Sequence, residues 1–246
     1  MSRAPRPALA AVLFDLDDTL HDDTLAYRQA AHRVADDVAA EHRIDAGDLL
    51  AAYVAQAESF WKNLSSASLG TPLVGVRATM WAAALASVGL ENAGLAERCG
   101  VTYNEYRKGY LQLWPGALEL LQSLRGAGCK LGLITNGFAE THREKIALLK
   151  LEDAFDEIFI ADEVGMLKPD PRLFALACER LGAAPVASAM VGDRYERDIR
   201  GAHALGLFTV WVNVRGERVP AGGPTPDATV KAIGEVEGVL PVARNG

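Results

Sequence analysis

The chain has 246 residues, half of them hydrophobic, with a formal net charge of −7 and a pI near 5.3. That length holds one large domain or a core domain with a smaller partner, and the acidic balance argues against nucleic acid or an anionic membrane as a main partner. No apolar run reaches the roughly 18 residues needed to span a bilayer, and Asp15 interrupts the stretch after the charged opening 1–7 before a signal-type segment forms, so a soluble, cytoplasmic protein is expected. Cys99, Cys129 and Cys178 are scattered and odd in number, which suits apolar packing in a reduced compartment better than a disulfide framework or a thiolate metal site.

In chain order, Ala10–Phe14 is apolar and bounded by polar residues, as in a buried parallel strand. It delivers Asp15-Leu16-Asp17-Asp18-Thr19-Leu20 at its carboxyl end. Ala26–Glu41, Ala46–Lys62, Val74–Val88 and Ala93–Lys108 read as four helices, with breaks at or near Gly47, Gly70-Thr71-Pro72 and Gly89. From Trp114-Pro115-Gly116 the texture changes to alternation. Strands are expected over Lys130–Thr135, Glu157–Ala161, Ala189–Gly192 and Phe208–Asn213. Helices are expected over Ala117–Arg125, Thr141–Leu149, Arg172–Leu181 and Ile199–Leu205. The turn-rich connector Ala221–Pro226 then leads to a last helix near Ile233–Leu240. Such alternation predicts an α/β fold, a parallel sheet with helices on both faces. Residues 1–20 and 111–246 form the expected core; 21–110 are an inserted all-helical cap expected to overhang the carboxyl end of the sheet.

The polar residues gather where expected strands end. Asp15 and Asp17 follow the first, and Thr135-Asn136-Gly137 closes the second. Leu167-Lys168-Pro169-Asp170 follows the third, and Gly192-Asp193, with Asp198 beyond, closes the fourth. Carboxyl ends of strands line the ligand crevice in open α/β sheets, and carboxylates crowded there repel one another unless a cation or a proton intervenes. These groups meet the needs of phosphate-ester cleavage. Asp15 can attack phosphorus and form an aspartyl-phosphate. Asp17 can protonate the leaving alkoxide, then deprotonate the attacking water. Thr135 and the neighbouring backbone N–H groups, at Asn136 and Gly137, can bind phosphoryl oxygens, and Lys168 brings positive charge to the phosphate and to Asp15. Asp193 offers hard oxygen for Mg²⁺, with Asp15 and the backbone carbonyl of Asp17 completing the set; Asp198 either ligates directly or holds a metal-bound water.

Asp-Leu-Asp-Asp-Thr-Leu, Thr-Asn-Gly, Leu-Lys-Pro-Asp and Gly-Asp-(four residues)-Asp, in that order, resemble the four motifs of the haloacid dehalogenase-like hydrolase superfamily. The helical insertion between the first two resembles its C1-type cap. The resemblance implies a Rossmann-like core, Mg²⁺, and most often hydrolysis of a small phosphomonoester. It further implies that Asp15 is the nucleophile, Asp17 the acid/base, Thr135 and Lys168 the phosphate groups and Asp193 the metal ligand. The dehalogenase branch lacks an Asp at the position of Asp17, so halide displacement is disfavoured; a mutase-type phosphotransferase is the other alternative on the same groups. One departure is visible: many members carry a small hydroxyl residue after Gly-Asp, whereas Arg194 stands here, able to reach the substrate or to pair with an acidic neighbour. His21, His32, His42, His142 and His203 show no ligand spacing to one another and are given surface or core roles. Tyr53, Phe60, Trp61 and Trp81 read as core of the helical block, Lys62 and Arg77 as its solvated face, and Asp18 as support for the turn out of the first strand.

Overall fold

The apolar run Ala11-Val12-Leu13-Phe14 becomes strand β1 (Ala11–Phe14), and all four residues are fully buried, as helices on both faces of a sheet require. The computed structural model describes residues 7–242. Most of the charged opening that bears on targeting therefore lies outside the described residues, and no described helix is long and apolar enough to cross a membrane. The chain forms two compact units, one from the stretches up to Asp22 and from Gln112 onward, the other from Asp23–Leu111.

In the first unit β1 is joined by β2 (Lys130–Thr135), β3 (Glu157–Ile160), β4 (Ser188–Gly192), β5 (Phe208–Val212) and β6 (Ala228–Val230). All neighbours pair in parallel in the order β3-β2-β1-β4-β5-β6, which makes the fold Rossmann-like. One core layer sets Leu13, Ile134 and Met190 of the sheet against Leu173, Phe174 and Ala177. These last belong to a helix over Pro171–Arg180, which opens on Asp170, whose carboxylate accepts from the Arg172 amide.

Several expectations are corrected at the carboxyl end. The segment after Ala221–Pro226 is the short strand β6, and the last helix expected near Ile233–Leu240 is a 3₁₀ turn over Ile233–Gly238. Three residues are too few to carry a period-2 signal. Gly234 and Gly238, with β-branched Ile233 and Val236, give the next segment little α-propensity. The helix expected over Ile199–Leu205 is an α-helix from Arg200–Leu205 preceded by a π turn over Tyr195–Ile199. A short helix, Ala161–Val164, follows β3 without a break.

The second unit is α1 (Asp23–Glu41), α2 (Ala46–Lys62), α3 (Leu73–Ser87) and α4 (Ala93–Lys108). Each packs on its chain neighbour and α1 also on α4, so the four close on one core. Tyr53 and Trp81 are buried there and stack with ring centroids 3.9 Å apart, while Phe60 and Trp61 pack against it partly buried. Lys62 is exposed. Arg77, placed on the solvated face by its charge, is instead buried. Its guanidinium lies over the Tyr103 ring, 5.2 Å from the centroid, and donates to the Asn104 side chain, so α4 supplies the partners that solvent was expected to provide.

Truncating Leu13 to Ala removes a fully buried side chain from the layer between β1 and the Pro171–Arg180 helix. The stability of the sheet unit is expected to fall by about 2–5 kcal/mol, read as a lower urea midpoint at unchanged m-value.

Candidate active site

The sheet order reverses at β1, with β2 on one side and β4 on the other, the place where open α/β sheets form a ligand crevice beyond the carboxyl ends of their strands. Phe14 pairs with Leu133 and Val191, and the Asp15 amide donates to the Val191 carbonyl at 2.9 Å. Asp15 is therefore the first residue past the strand, and it is buried. The chain then turns with Asp18 at φ 61°, a conformation Asp tolerates, and Asp18 accepts from Arg215 at 2.7 Å. The buried Thr19 hydroxyl donates to Asp15 Oδ2 at 3.0 Å and accepts from the Asp193 amide at 3.0 Å, so it ties the β1 and β4 loops together.

Lys168 reaches the same point from the loop after β3. Its Nζ donates to Asp15 Oδ1 at 2.5 Å and lies 2.7 Å from Asp198 Oδ1, with all three side chains buried. Burial alone would push the Lys168 ammonium down, but Asp15 and Asp198 outweigh it and hold it above its ordinary value. The Asn136 side chain clamps the lysine's backbone, donating from Nδ2 to the Lys168 carbonyl at 2.8 Å and accepting the Lys168 amide at 2.7 Å. The buried Thr135 ends β2. Asp198 sits in the π turn, where Oδ2 accepts the Arg194 amide at 2.9 Å. Gly192 makes room for it: a Cβ there would lie 2.4 Å from the Asp198 Cγ.

Asp193 completes an acidic cluster, in which one oxygen each from Asp15, Asp193 and Asp198 lie within 4.8 Å of one another. The Asp193 carbonyl accepts from Trp211 Nε1 at 2.9 Å. Its Oδ2 lies 3.2 Å from Arg194 Nε, and Arg194 also pairs with Asp18 at 3.6 Å, so this arginine meets acidic neighbours. Oδ1 of Asp193 is buried without a hydrogen-bond partner. Burial, then Asp15 and Asp198, push the Asp193 carboxyl well above the usual carboxylate range. Burial likewise raises Asp15, against the pull of Lys168. Three carboxylates thus share the Lys168 ammonium and the Arg194 guanidinium, and one oxygen of Asp193 is left without a hydrogen-bond partner. A divalent cation with a preference for oxygen fits this donor set, because it would satisfy the orphan and offset the excess negative charge.

Asp17 stands in a different setting. Its Oδ1 meets His21 Nε2 at 2.9 Å and accepts from Lys145 Nζ, and its Oδ2 meets His142 Nε2 at 3.3 Å. His21, His142 and Lys145 are buried, whereas Asp17 is partly exposed. Burial pushes the Asp17 carboxyl up, but Lys145 and then His142 outweigh it and hold it well below the ordinary range. Two carboxyl groups two residues apart are pushed in opposite directions, as in sites that divide acid and base roles between carboxylates.

The family model for the haloacid dehalogenase-like hydrolases matches residues 9–206. The chain belongs to that family. Among curated relatives of this chain, the N-acylneuraminate-9-phosphatase of Mus musculus is 32% identical over 238 residues, 94% of this chain and 93% of the relative. The glyceraldehyde 3-phosphate phosphatase of Methanopyrus kandleri is 40% identical over 110 residues, 45% of this chain and 47% of the relative, so the chain spans about half the length of that protein. Of the solved structures, the HAD-hydrolase YfnB of Bacillus subtilis, bound to magnesium, shares the fold with a TM-score of 0.76 at 24% identity, over 95% of this chain and 99% of that one. The 2-haloacid dehalogenase of Pseudomonas syringae pv. Tomato DC3000 superposes with a TM-score of 0.67 at 27% identity, over 94% and 98%.

Around the motif residues stand several that pattern reading did not assign to the site: Thr19, His21, His142, Lys145 and Trp211. His142 and Lys145 lie three apart on the helix over Ala139–Leu148, so they share a face. Their spacing after Thr-Asn-Gly was the available signal, but a helical lysine ordinarily reads as solvated. Gly137 is the reason the His142 ring can reach Asp17: a Cβ at Gly137 would come within 1.8 Å of His142 Cε1. Gly137→Ala is expected to cost about 1–3 kcal/mol by overpacking, and at least about 1 kcal/mol less when His142→Ala is already present. Urea melts of the two single variants and the double variant measure that coupling; strictly additive costs would contradict it.

Proposed function

We propose that this hydrolase cleaves a small organic phosphomonoester by way of a phosphorylated Asp15. The observation that carries the reading is the juxtaposition of Asp15, held by Lys168 and Thr19, with Asp17, held among Lys145, His142 and His21. An oxygen of Asp15 attacks phosphorus while the bond to the leaving oxygen breaks. Lys168 draws Asp15 toward its ionised form against the effect of burial and offers charge to the phosphoryl oxygens, and Thr135 with the backbone N–H groups of Asn136 and Gly137 supplies donors to them.

Asp17 handles the proton. In the resting site its basic neighbours keep it ionised; arrival of a negatively charged phosphoryl group beside it favours its protonated form. The proton passes to the leaving alkoxide, and the carboxylate so formed takes a proton from the water that hydrolyses the aspartyl-phosphate. A halide leaves without a proton, so a dehalogenase has no use for an acid in the place of Asp17, which favours phosphate over halide chemistry despite the likeness to a dehalogenase structure.

Asp15, Asp193 and the Asp17 carbonyl, with Asp198 in support, would hold Mg²⁺. When bound, the ion neutralises phosphoryl charge and keeps the nucleophile and phosphate together. The compared phosphatases differ in their leaving groups, so the shared groups speak for the bond cleaved and leave the alcohol open.

Asp15→Asn is expected to abolish release of p-nitrophenol from p-nitrophenyl phosphate, and EDTA to abolish it in the native protein; activity surviving either would sink the mechanism. The metal is tested separately by thermal melting. Mg²⁺ should raise the melting temperature of the native protein, with about 2.7 kcal/mol of stabilisation at a hundred times its dissociation constant. Asp193→Asn should lose that increment while melting, without metal, no lower than the native protein, because one of the crowded charges is gone.

A further inference from the structure

Lys145 is a buried ammonium whose carboxylate partner lies partly exposed at the crevice. Buried ion pairs are poor stabilisers, since desolvation offsets most of their attraction. Packing therefore gives little account of why this charge is inside. Three further features bear on it. Each oxygen of Asp17 has a partner, Oδ1 in Lys145 and His21 and Oδ2 in His142. The far nitrogen of the His142 ring, Nδ1, lies 3.2 Å from the Phe138 carbonyl, so the ring is held from both sides. The space the ring fills exists only because residue 137 has no side chain.

We infer that Lys145 and His142 are positioning residues for Asp17, holding its carboxylate in the one orientation from which it exchanges protons with the leaving group and with water. The terminal torsion of an aspartate is otherwise broad, and with a partner on each oxygen the carboxylate plane cannot swing. The inference rests on the acid/base reading of Asp17 given above. It assigns to the helix after β2 a second duty beside covering the sheet: its buried face aims the proton-transfer group, while Lys168 meets Asp15.

The test compares kcat and KM for p-nitrophenyl phosphate in the Mg²⁺-supplied full-length protein. Lys145→Met, close in length but without charge, is expected to lower kcat by about 10²-fold, the scale of a displaced catalytic group, with KM within about twofold, the signature of an interaction made in the transition state. Lys145→Arg, which keeps a donor cation, should recover part of the loss. His142→Gln keeps an N–H able to reach Oδ2 and should be about tenfold faster than His142→Leu. Binding of inorganic phosphate by calorimetry should be unchanged in all four. The inference is overturned if Lys145→Met keeps kcat within about threefold of the native value, if KM rises in place of a fall in kcat, or if the Arg and Gln variants are no better than Met and Leu. Should Lys145→Met fail to fold by circular dichroism, the His142 pair decides alone. A native protein that releases no phosphate removes the phosphatase reading and this one together, whereas an active native protein with an indifferent Lys145→Met removes only this one.

Discussion

Lys168 carries one positive charge between two buried carboxylates, Asp15 and Asp198, and the rest of the sheet unit is arranged so that this can happen. The three side chains come from the ends of different strand–loop units, and Lys168 stands 153 residues from Asp15 in sequence. An ammonium placed there without either partner would bear the full cost of desolvation; with both, it stays charged. Several local features serve that meeting. Asn136 grips the lysine's backbone, Gly192 vacates the volume that Asp198 occupies, and the π turn lets the Arg194 amide reach the other Asp198 oxygen. Such turns widen a helix by one residue and concentrate at functional sites. Here the widening brings an acidic side chain back toward the sheet instead of out to solvent.

The same crevice holds two electrostatic environments within a few residues. On the β4 side, acids outnumber bases, and Asp15 and Asp193 are pushed toward the protonated form. On the β2 side, Lys145, His142 and His21 gather around Asp17, and it is pushed the other way. The division arises from chain geometry: successive residues leaving β1 diverge, so Asp15 looks toward Asp198 and Lys168 while Asp17 looks toward the helix that follows β2. A motif with two acids two residues apart thereby yields two groups with opposite proton affinities and no change of residue type.

Much of this was legible in the primary structure because its signals are local. An apolar run followed by polar residues marks a strand end; Asp15, Thr135 and Asp193 lie at or just beyond such ends, and Lys168 lies in the loop past the short helix that follows β3. The long helices of the second unit announce themselves by their spacing. What escaped depends on distant partners. Lys145 looks like any helical lysine until Asp17, 128 residues away, is placed against it, and Arg77 looks solvated until Tyr103 and Asn104 close over it. β6 is too short to have a period, and the Ile233–Gly238 turn has apolar residues at helical spacing but glycines where a helix needs better formers. The π turn over Tyr195–Ile199 has no compositional mark at all.

β1 is one of the two middle strands of the sheet and precedes the other strands in the chain, yet its partners come late: Ala11 pairs with Lys130 on one side and Ser188 on the other. Translation therefore extrudes the whole helical unit, whose contacts run mainly between helices adjacent in sequence, before β1 has anything to pair with. Local contacts form fast and long-range parallel pairing slowly, so vectorial synthesis assembles the inserted unit while the strand preceding it is still an open apolar ribbon. For that interval Ala11–Phe14 is the segment of the nascent chain most in need of shielding, and a ribosome stalled short of β4 would carry a finished bundle attached to an unfinished sheet.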